Sequence, residues 1–187
     1  SDLLMRNLNI AVELIGSFKQ VAVDRTSAQR REFALDALVS ETMLTLNPSL
    51  KAMQHVIQTD IPTGIAMVSY PGQLGQILTN LIHNAVVHGL GDREHGIVHI
   101  SAQGEGSASV VLVVQDNGAG IPEANLRRIF DPFFTTRLGQ GGSGLGLHIV
   151  YNLVRDVLGG TVTVESTLGQ GARFVLVLPC TSPDGAD

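Results

Sequence analysis

Two asparagines and a histidine on one predicted helix are the first residues that could bind a polar ligand. The segment QILTNLIHNAVVH places Asn80 and Asn84 four residues apart, and His88 follows after four more. Residues at this spacing share one face of an α-helix. A side-chain amide oxygen is a hard donor that suits Mg²⁺, which combines a few protein oxygens with phosphate and water. The alternative is that the amides bond loop backbone in the core, and the segment alone leaves both interpretations open.

A carboxylate follows an apolar predicted strand in the segment DNGAGIP, which begins at Asp116. Asp-Asn-Gly after a strand is typical of a simple turn. A carboxylate at a strand end can also accept a hydrogen bond from an exocyclic amine, such as that of adenine. Gly118 and Gly120 would let the backbone approach a planar ring, because neither residue has a Cβ.

A cation ends a phenylalanine-rich segment, IFDPFFTTR, over 129–137. Its three phenylalanines are half of the six in the chain, and we expect Phe130 and Phe133 to anchor the loop to the core. Arg137 is the best-placed cation for a terminal phosphate, because the guanidinium fork matches phosphate oxygens. An arginine on a surface loop would fit the same pattern without a ligand.

A glycine-rich loop runs directly into a predicted helix over 139–150 (GQGGSGLGLHIV), with five glycines in eight residues. Backbone amides at a helix N-terminus form an anion site that needs no lysine, and the chain has only Lys19 and Lys51. The spacing fits neither the phosphate loop that ends in GK[ST] nor the dinucleotide fingerprint. A flexible hinge is the alternative, but the apolar helix that follows favours the anion site.

The composition restricts the classes of protein to which these patterns can belong. The chain has 187 residues, of which 44% are hydrophobic, so it suits one domain with a full core and is not a disordered chain. Its net charge of −5 argues against a general nucleic-acid binder. The single cysteine, Cys180, excludes an intramolecular disulfide and fits a reducing compartment. No apolar run approaches the roughly 20 residues of a membrane helix.

The N-terminal segment is predicted to be a helix with an apolar stripe at alternating spacings of four and three. The stripe suits either a coiled coil or an amphipathic helix that lies on its own domain. We favour the end of a dimerisation helix over 1–24, because a polar, linker-like stretch follows over 25–31. The stripe consists of Leu4, Leu8, Ala11, Ile15, Phe18 and Ala22.

The globular domain is expected over 32–180, with a disordered tail over 181–187. Its strands are grouped around a few helices rather than alternating with them, which predicts an α+β two-layer sandwich. The predicted elements are a strand over 33–35, a helix over 36–46 that breaks or kinks at Asn47-Pro48, a hairpin of 55–60 with 65–69, a helix over 73–88, strands over 96–103 and 107–115, helices over 124–129 and 143–158, and a hairpin of 161–166 with 173–179.

In chain order, the four patterns resemble the ATP-binding catalytic domain of sensor histidine kinases, in the superfamily shared with gyrase, the Hsp90 chaperones and the mismatch-repair MutL proteins. NLIHNAVVHG is similar to the N box, DNGAGIP to the first glycine box, FDPFFTTR to the F box and GSGLGLHIV to the second glycine box. GGTVTVES and GQGARFVLVLP are similar to the closing hairpin, so the resemblance covers about 32–179. It implies a Bergerat-type fold, in which helices cover one face of a mixed sheet, here with an N-terminal helical extension.

The resemblance also implies ATP and Mg²⁺ as ligands and gives roles to the matching positions. Asn84 would coordinate Mg²⁺ and, with Arg137, would be a catalytic residue, while Asp116 would receive the adenine amine. The other positions implied to bind nucleotide are Asn80, His88, Gly118, Gly120, Ile121, Thr136, Gly142, Ser143, Gly144, Leu145, Gly146 and Leu147. Two positions depart from the family pattern: Val87 replaces a frequent phosphate-contacting lysine, and Ala172 replaces a frequent threonine on the adenine side.

The implied reaction is transfer of the ATP γ-phosphoryl group to a histidine and then to an aspartate of a response-regulator receiver domain. His55 is the first histidine of the chain and falls in a predicted strand, so we expect the acceptor histidine on dimerisation helices outside this chain. The chain would then be the cytoplasmic part of a homodimeric, membrane-anchored bacterial sensor kinase that does not bind nucleic acid.

Two other functions remain open for this sequence. One is an anti-sigma-factor type of serine kinase from the same superfamily, and the other is an ATP-binding partner module without transfer. The N-terminal apolar stripe favours the histidine kinase over the serine kinase.

Overall fold

The structure is a computed structural model that describes residues 29–51, 55–91, 95–136 and 143–184. The expected N-terminal helix over 1–24 lies outside these ranges. The elements within them are β1 (Arg31–Ala34), α1 (Leu35–Lys51), β2 (Val56–Asp60), β3 (Ala66–Ser69), α2 (Pro71–Asn84), β4 (Ile97–Glu105), β5 (Ser109–Asp116), α3 (Glu123–Leu126), α4 (Gly146–Asn152), β6 (Thr161–Ser166) and β7 (Ala172–Pro179). One π-helical turn extends α2 over Ala85–Gly89, and another extends α4 over Leu153–Val157.

Five strands form a mixed sheet in the order β2-β4-β5-β7-β6. β2 runs parallel to β4, and the other neighbours are antiparallel. Alternate residues of each central strand are buried in one core with the apolar residues of the helices, as side-chain alternation along a strand requires. The predicted α+β sandwich, with helices on one face of a mixed sheet, is therefore confirmed.

Helix α2 is the central helix of this layer and carries the predicted asparagine row. It begins at Pro71, a residue suited to the first turn because it lacks the N–H that a helix start leaves unpaired. Its buried residues recur at helical spacing and include Leu74, Ile77, Leu78 and Leu81. It contacts both α1 and α4, so these two neighbouring helices fix its position in the layer.

The predicted hairpin of 55–60 with 65–69 is wrong. β2 pairs in parallel with β4, whereas β3 pairs antiparallel with β1. A turn does occur at Thr63-Gly64, but Ile57 lies beside Val98 on the core side of the main sheet. Burial against distant strands therefore decides the pairing of these two short strands.

A break of the first helix at Asn47-Pro48, one of the two predicted alternatives, does not occur, because α1 continues to Lys51; the kink stays a prediction. Proline removes one backbone donor and so one intrahelical hydrogen bond. In the last turns of a helix that is packed along its earlier residues, this loss does not end the helix.

Residues 181–184 are not the disordered tail that was predicted. Thr181 forms a parallel bridge with Val68, and Ser182 is 1% exposed with its hydroxyl bonded to that of Ser69. Arg30, assigned to the linker, pairs with Asp184 at 2.8 Å. The domain therefore includes both this C-terminal segment and the residues that precede β1, while 185–187 lie outside the described residues.

Across the described ranges, no helix has both the length and the apolar character of a membrane span.

Candidate functional site

A cavity of about 510 Å³ lies between α2, α4, the end of β5 and the segment that leads to Thr136. It brings together eleven of the fifteen predicted ligand positions. These are Asn80, Asn84, His88, Asp116, Gly120, Ile121, Thr136, Ser143, Gly144, Gly146 and Leu147. Gly118 and Leu145 are close in sequence to lining residues but do not line the cavity themselves. Arg137 and Gly142 lie outside the described residues, so their predicted roles stay predictions.

Other lining residues were not assigned from the sequence. They are Thr79, His83, Gly89, Pro122, Asn125, Ile129, Phe134, Thr135 and Ile149. Ala172, named above as a departure from the family pattern on the adenine side, also lines the cavity. Thr79 and His83 are four residues apart and form a second row beside that of Asn80 and Asn84, so helical spacing could have indicated them. Asn125 carries no comparable sequence signal.

Asp116 forms the floor of the cavity and is 4% exposed. It ends β5, where Val110, Leu112 and Val114 occupy the buried face, so strand alternation directs the carboxylate inward. The Gly118 amide donates a hydrogen bond of 2.8 Å to its Oδ1. Burial of a carboxylate is costly without such bonds, and the turn that follows the strand supplies one.

Glycines let three backbone segments meet around this carboxylate. A Cβ on Gly89 would lie 2.8 Å from Asp116 Oδ1, and a Cβ on Gly118 would lie 2.1 Å from the Gly89 carbonyl oxygen. At Gly171, which has a φ of +85°, a Cβ would lie 1.9 Å from the Asp116 carbonyl oxygen. These glycines thus allow close backbone packing at the floor, and they also leave space for a ligand.

Ser166 ties the first glycine segment to the closing hairpin. The Ile121 amide donates to Ser166 Oγ at 2.8 Å, and this hydroxyl donates to the Gly171 carbonyl at 2.7 Å. The Gly169 amide also donates to the Ala119 carbonyl at 2.7 Å. These bonds fix Ile121 as a wall of the cavity, a role for Ser166 that the sequence motifs did not suggest.

The polar face of α2 forms a second wall, and Asn80 is its most telling residue. The Nδ2 atom of Asn80 is buried and has no hydrogen-bond partner among the described residues. Its Oδ1 lies 3.8 Å from the position of a Cβ on Gly146, so α4 approaches the amide closely at a residue without a side chain. A buried, unpaired amide in a cavity wall is a group that a phosphate oxygen or an ordered water would satisfy.

The donors present also fit the Mg²⁺ expected with a phosphate ligand. Among the described residues, no group of three or more histidine, cysteine, aspartate or glutamate side chains could hold a metal ion. A magnesium ion here would therefore depend on an amide oxygen and on ligand phosphates, a donor set that Mg²⁺ accepts. Asn84 lines the cavity and can supply that oxygen.

The glycine-rich loop enters its helix later than predicted. α4 begins at Gly146 rather than at 143, and Gly144 adopts a φ of +70° just before it. The Gly144 carbonyl accepts a hydrogen bond of 2.9 Å from the Phe133 amide. This left-handed position interrupts the helical backbone, so Ser143 and Gly144 line the cavity as loop residues.

The phenylalanine-rich segment is anchored by Phe130 but not by Phe133. The Phe130 ring packs on Tyr151 and Phe174, with ring centroids 5.4 and 6.4 Å apart. Phe133 is 64% exposed and has a φ of +64°, so its predicted anchoring role is wrong. Phe134 lines the cavity instead. The Phe133 amide is bonded to the Gly144 carbonyl, and with its backbone in this position the Phe133 ring lies outward.

Comparison with known proteins gives one family for this arrangement. The profile of the histidine kinase-, DNA gyrase B- and HSP90-like ATPases matches residues 70–182. The alginate biosynthesis sensor protein KinB of Pseudomonas aeruginosa is 39% identical over 172 residues, which are 90% of this chain and 28% of that protein. The chain spans between 19% and 28% of the length of this and two further curated sensor kinases.

Solved structures agree in fold. The catalytic domain of histidine kinase ThkA superposes with a TM-score of 0.71 at 26% identity, over 83% of this chain and 99% of that one. Full-length ShkA, solved in complex with AMPPNP, superposes with a TM-score of 0.68 at 29% identity, over 84% of this chain and 32% of that one. The chain therefore belongs to the family of histidine kinase-, DNA gyrase B- and HSP90-like ATPases, as a catalytic ATP-binding domain of the sensor histidine kinase type.

Proposed function

We propose that the cavity binds ATP and that the chain is the catalytic domain of a two-component sensor histidine kinase. The observation that carries this proposal is the buried carboxylate of Asp116 between glycine backbones at the cavity floor. A carboxylate there accepts a hydrogen bond from the exocyclic amine of adenine. The carbonyl oxygen of guanine at the same ring position would face the carboxylate as a second acceptor, so the site favours ATP over GTP.

A second group of lining residues suits the phosphates. Asn80 offers a buried amide nitrogen that has no hydrogen-bond partner in the described part of the chain, and Ser143, Gly144 and Gly146 line the cavity nearby. Asn84 would hold Mg²⁺, which when bound neutralises phosphate charge. Arg137 stays a prediction as the cation for the terminal phosphate, and His88 lines the wall in the region where Val87 replaces the lysine frequent in the family.

The proposed reaction transfers the γ-phosphoryl group to an imidazole nitrogen, so a phosphorus–oxygen bond of ATP breaks, a phosphorus–nitrogen bond forms, and ADP leaves. The residues of this chain bind and orient the nucleotide, because phosphoryl transfer depends mainly on positioning and charge stabilisation. His55 lies directly before β2, and its Nδ1 accepts a hydrogen bond from the Gly96 amide at 3.2 Å.

We infer that the acceptor histidine lies on dimerisation helices of the same protein and that the phosphoryl group passes on to an aspartate of a receiver domain. The similarity to sensor kinases supports this inference, as it supports a cytoplasmic position in a membrane-anchored homodimer. The predicted apolar stripe over 4–22 would be the end of such a helix.

Calorimetry with ATP and Mg²⁺ tests the binding site. Asp116→Asn should weaken ATP binding by about 10- to 150-fold, because a hydrogen bond to a charged group contributes about 1.5–3 kcal/mol and the new amide can present a donor to the adenine amine. Asp60→Asn is the matched control, since Asp60 also ends a strand but is exposed. Undiminished binding by Asp116→Asn would refute the assignment of the adenine site.

Radiolabelled ATP and a separate acceptor-helix protein test the reaction. Transfer that is lost in acid and stable in base indicates phosphohistidine and supports the proposal. Acid-stable label on serine would support the serine kinase instead. ATP binding without any transfer to histidine-bearing acceptors would favour a binding module.

A further inference from the structure

His148 connects two walls of the cavity although it does not line the cavity itself. Its Nδ1 lies 3.0 Å from the Phe130 carbonyl oxygen, and its Nε2 lies 3.1 Å from Asn152 Nδ2. A carbonyl only accepts, so Nδ1 carries the proton and Nε2 accepts from the Asn152 amide in this arrangement. Both ring nitrogens are thereby used, and the ring orientation is fixed from both sides.

The two connected walls carry different lining residues. His148 stands in α4 between Leu147 and Ile149, both of which line the cavity. Phe130 belongs to the segment over 129–136, which contributes Ile129, Phe134, Thr135 and Thr136 to the lining of the cavity. The hydrogen bond from the His148 side chain to the Phe130 backbone carbonyl therefore connects the wall formed by α4 to the wall formed by 129–136.

The adenine end of the cavity is held by separate contacts. Asp116 is fixed by the Gly118 amide, and Ile121 is fixed by Ser166 and the closing hairpin. None of these bonds involves α4 or the segment over 129–136. A shift between α4 and that segment would therefore break none of these bonds at Asp116 and Ile121.

We propose that His148 is a positioning residue that, together with the Phe133–Gly144 backbone bond, holds the segment over 129–136 against α4 beside the Ser143 and Gly144 lining to which the phosphates are assigned; this inference rests on the proposed binding of ATP. Loss of the histidine bonds leaves the Phe133–Gly144 bond and the Phe130 ring contacts, so the segment is held less tightly against α4. The protein then loses affinity for ATP while its affinity for ADP, which lacks the terminal phosphate, changes little.

Calorimetry with ATP and with ADP, on the full 187-residue chain and its variants, tests this role. His148→Ala should weaken ATP binding by about 3- to 10-fold and ADP binding by less than about twofold. His148→Asn should restore most of the ATP affinity, because its amide nitrogen can occupy the place of Nδ1 and donate to the Phe130 carbonyl. His99→Ala, on the sheet face away from the cavity, is the matched control and should bind both nucleotides like the unmodified chain.

The comparison of the two nucleotides separates positioning from general damage. Equal losses of ATP and ADP affinity in His148→Ala would show a merely structural role and would overturn the inference. Unchanged ATP affinity, or failure of His148→Asn to restore it, would overturn the inference too. If the unmodified chain binds ADP and ATP, the proposed function stands whichever result the variants give; if it binds neither, the proposed function fails and this inference fails with it.

Discussion

The substitution Gly118→Ala tests whether close backbone packing holds the adenine carboxylate in place. An added Cβ would lie 2.1 Å from the Gly89 carbonyl oxygen, 2.4 Å from its carbon and 2.7 Å from Asp116 Oδ1. Gly118 does not have a positive φ, so alanine can adopt its backbone conformation and the effect is purely steric.

The contacted atoms set the size of the effect. Two of them are backbone atoms, which cannot rotate away as a flexible side chain can. Gly89 and Gly118 must therefore separate by at least about 1.3 Å for the 2.1 Å approach to reach the 3.4 Å of ordinary contact. Overpacking of this kind costs about 1–3 kcal/mol and lowers the melting temperature by about 2–12 °C in a domain of this size. The separation also moves Asp116, so we expect at least a roughly tenfold loss of ATP affinity.

Thermal unfolding and ATP calorimetry measure the two effects on the same variant. Gly104→Ala is the matched control, because its Cβ would lie 3.9 Å from the Gly106 carbonyl oxygen and its φ is not positive either. A Gly118→Ala protein that melts and binds ATP like the unmodified chain would refute the packing argument. Equal losses in both variants would show a general effect of replacing glycine.

Two further predictions concern contacts away from the carboxylate. Ser166→Ala removes the acceptor of the Ile121 amide and the donor to the Gly171 carbonyl, so the free energy of unfolding should fall by about 1–3 kcal/mol and ATP binding should weaken. Ser166→Thr keeps the hydroxyl and should retain most of the stability and most of the ATP affinity. Denaturant unfolding and calorimetry measure the two effects. Asp184→Ala should change the unfolding free energy by less than about 1 kcal/mol in denaturant titration, because the Asp184 side chain is 89% exposed and its ion pair with Arg30 is screened; a larger loss would contradict that reasoning.

Local patterns predicted the parts of the site that are set by local structure. The spacing of Asn80, Asn84 and His88 placed all three on one wall, although a π-helical turn rather than an α-helical one carries His88. Strand alternation and the following glycines placed Asp116 at the floor. The closing hairpin was also predicted, because its two strands are joined by a short glycine-containing turn.

Features that depend on distant segments were not predictable in the same way. The partner of β2 is 41 residues away at its first pair, Val56 with Ile97, and only burial in the main sheet selects it. Ser182 looks like part of a polar tail in sequence, yet it is buried because β3 offers backbone partners and a second hydroxyl. The exposure of Phe133 follows from its backbone pairing with Gly144, which composition cannot show.

The packing of residues 181–184 on β3 brings the two ends of the described domain to one corner, where Arg30 and Asp184 touch. A domain whose ends meet can be joined there by a short linker and reopened elsewhere without a change of fold. The turn between β4 and β5, around Gly106, is a suitable place for new ends, because Gly106 is exposed and a Cβ at that glycine would meet nothing within 4 Å. A circularly permuted form would carry both of its ends at that turn and leave the corner at Arg30 closed.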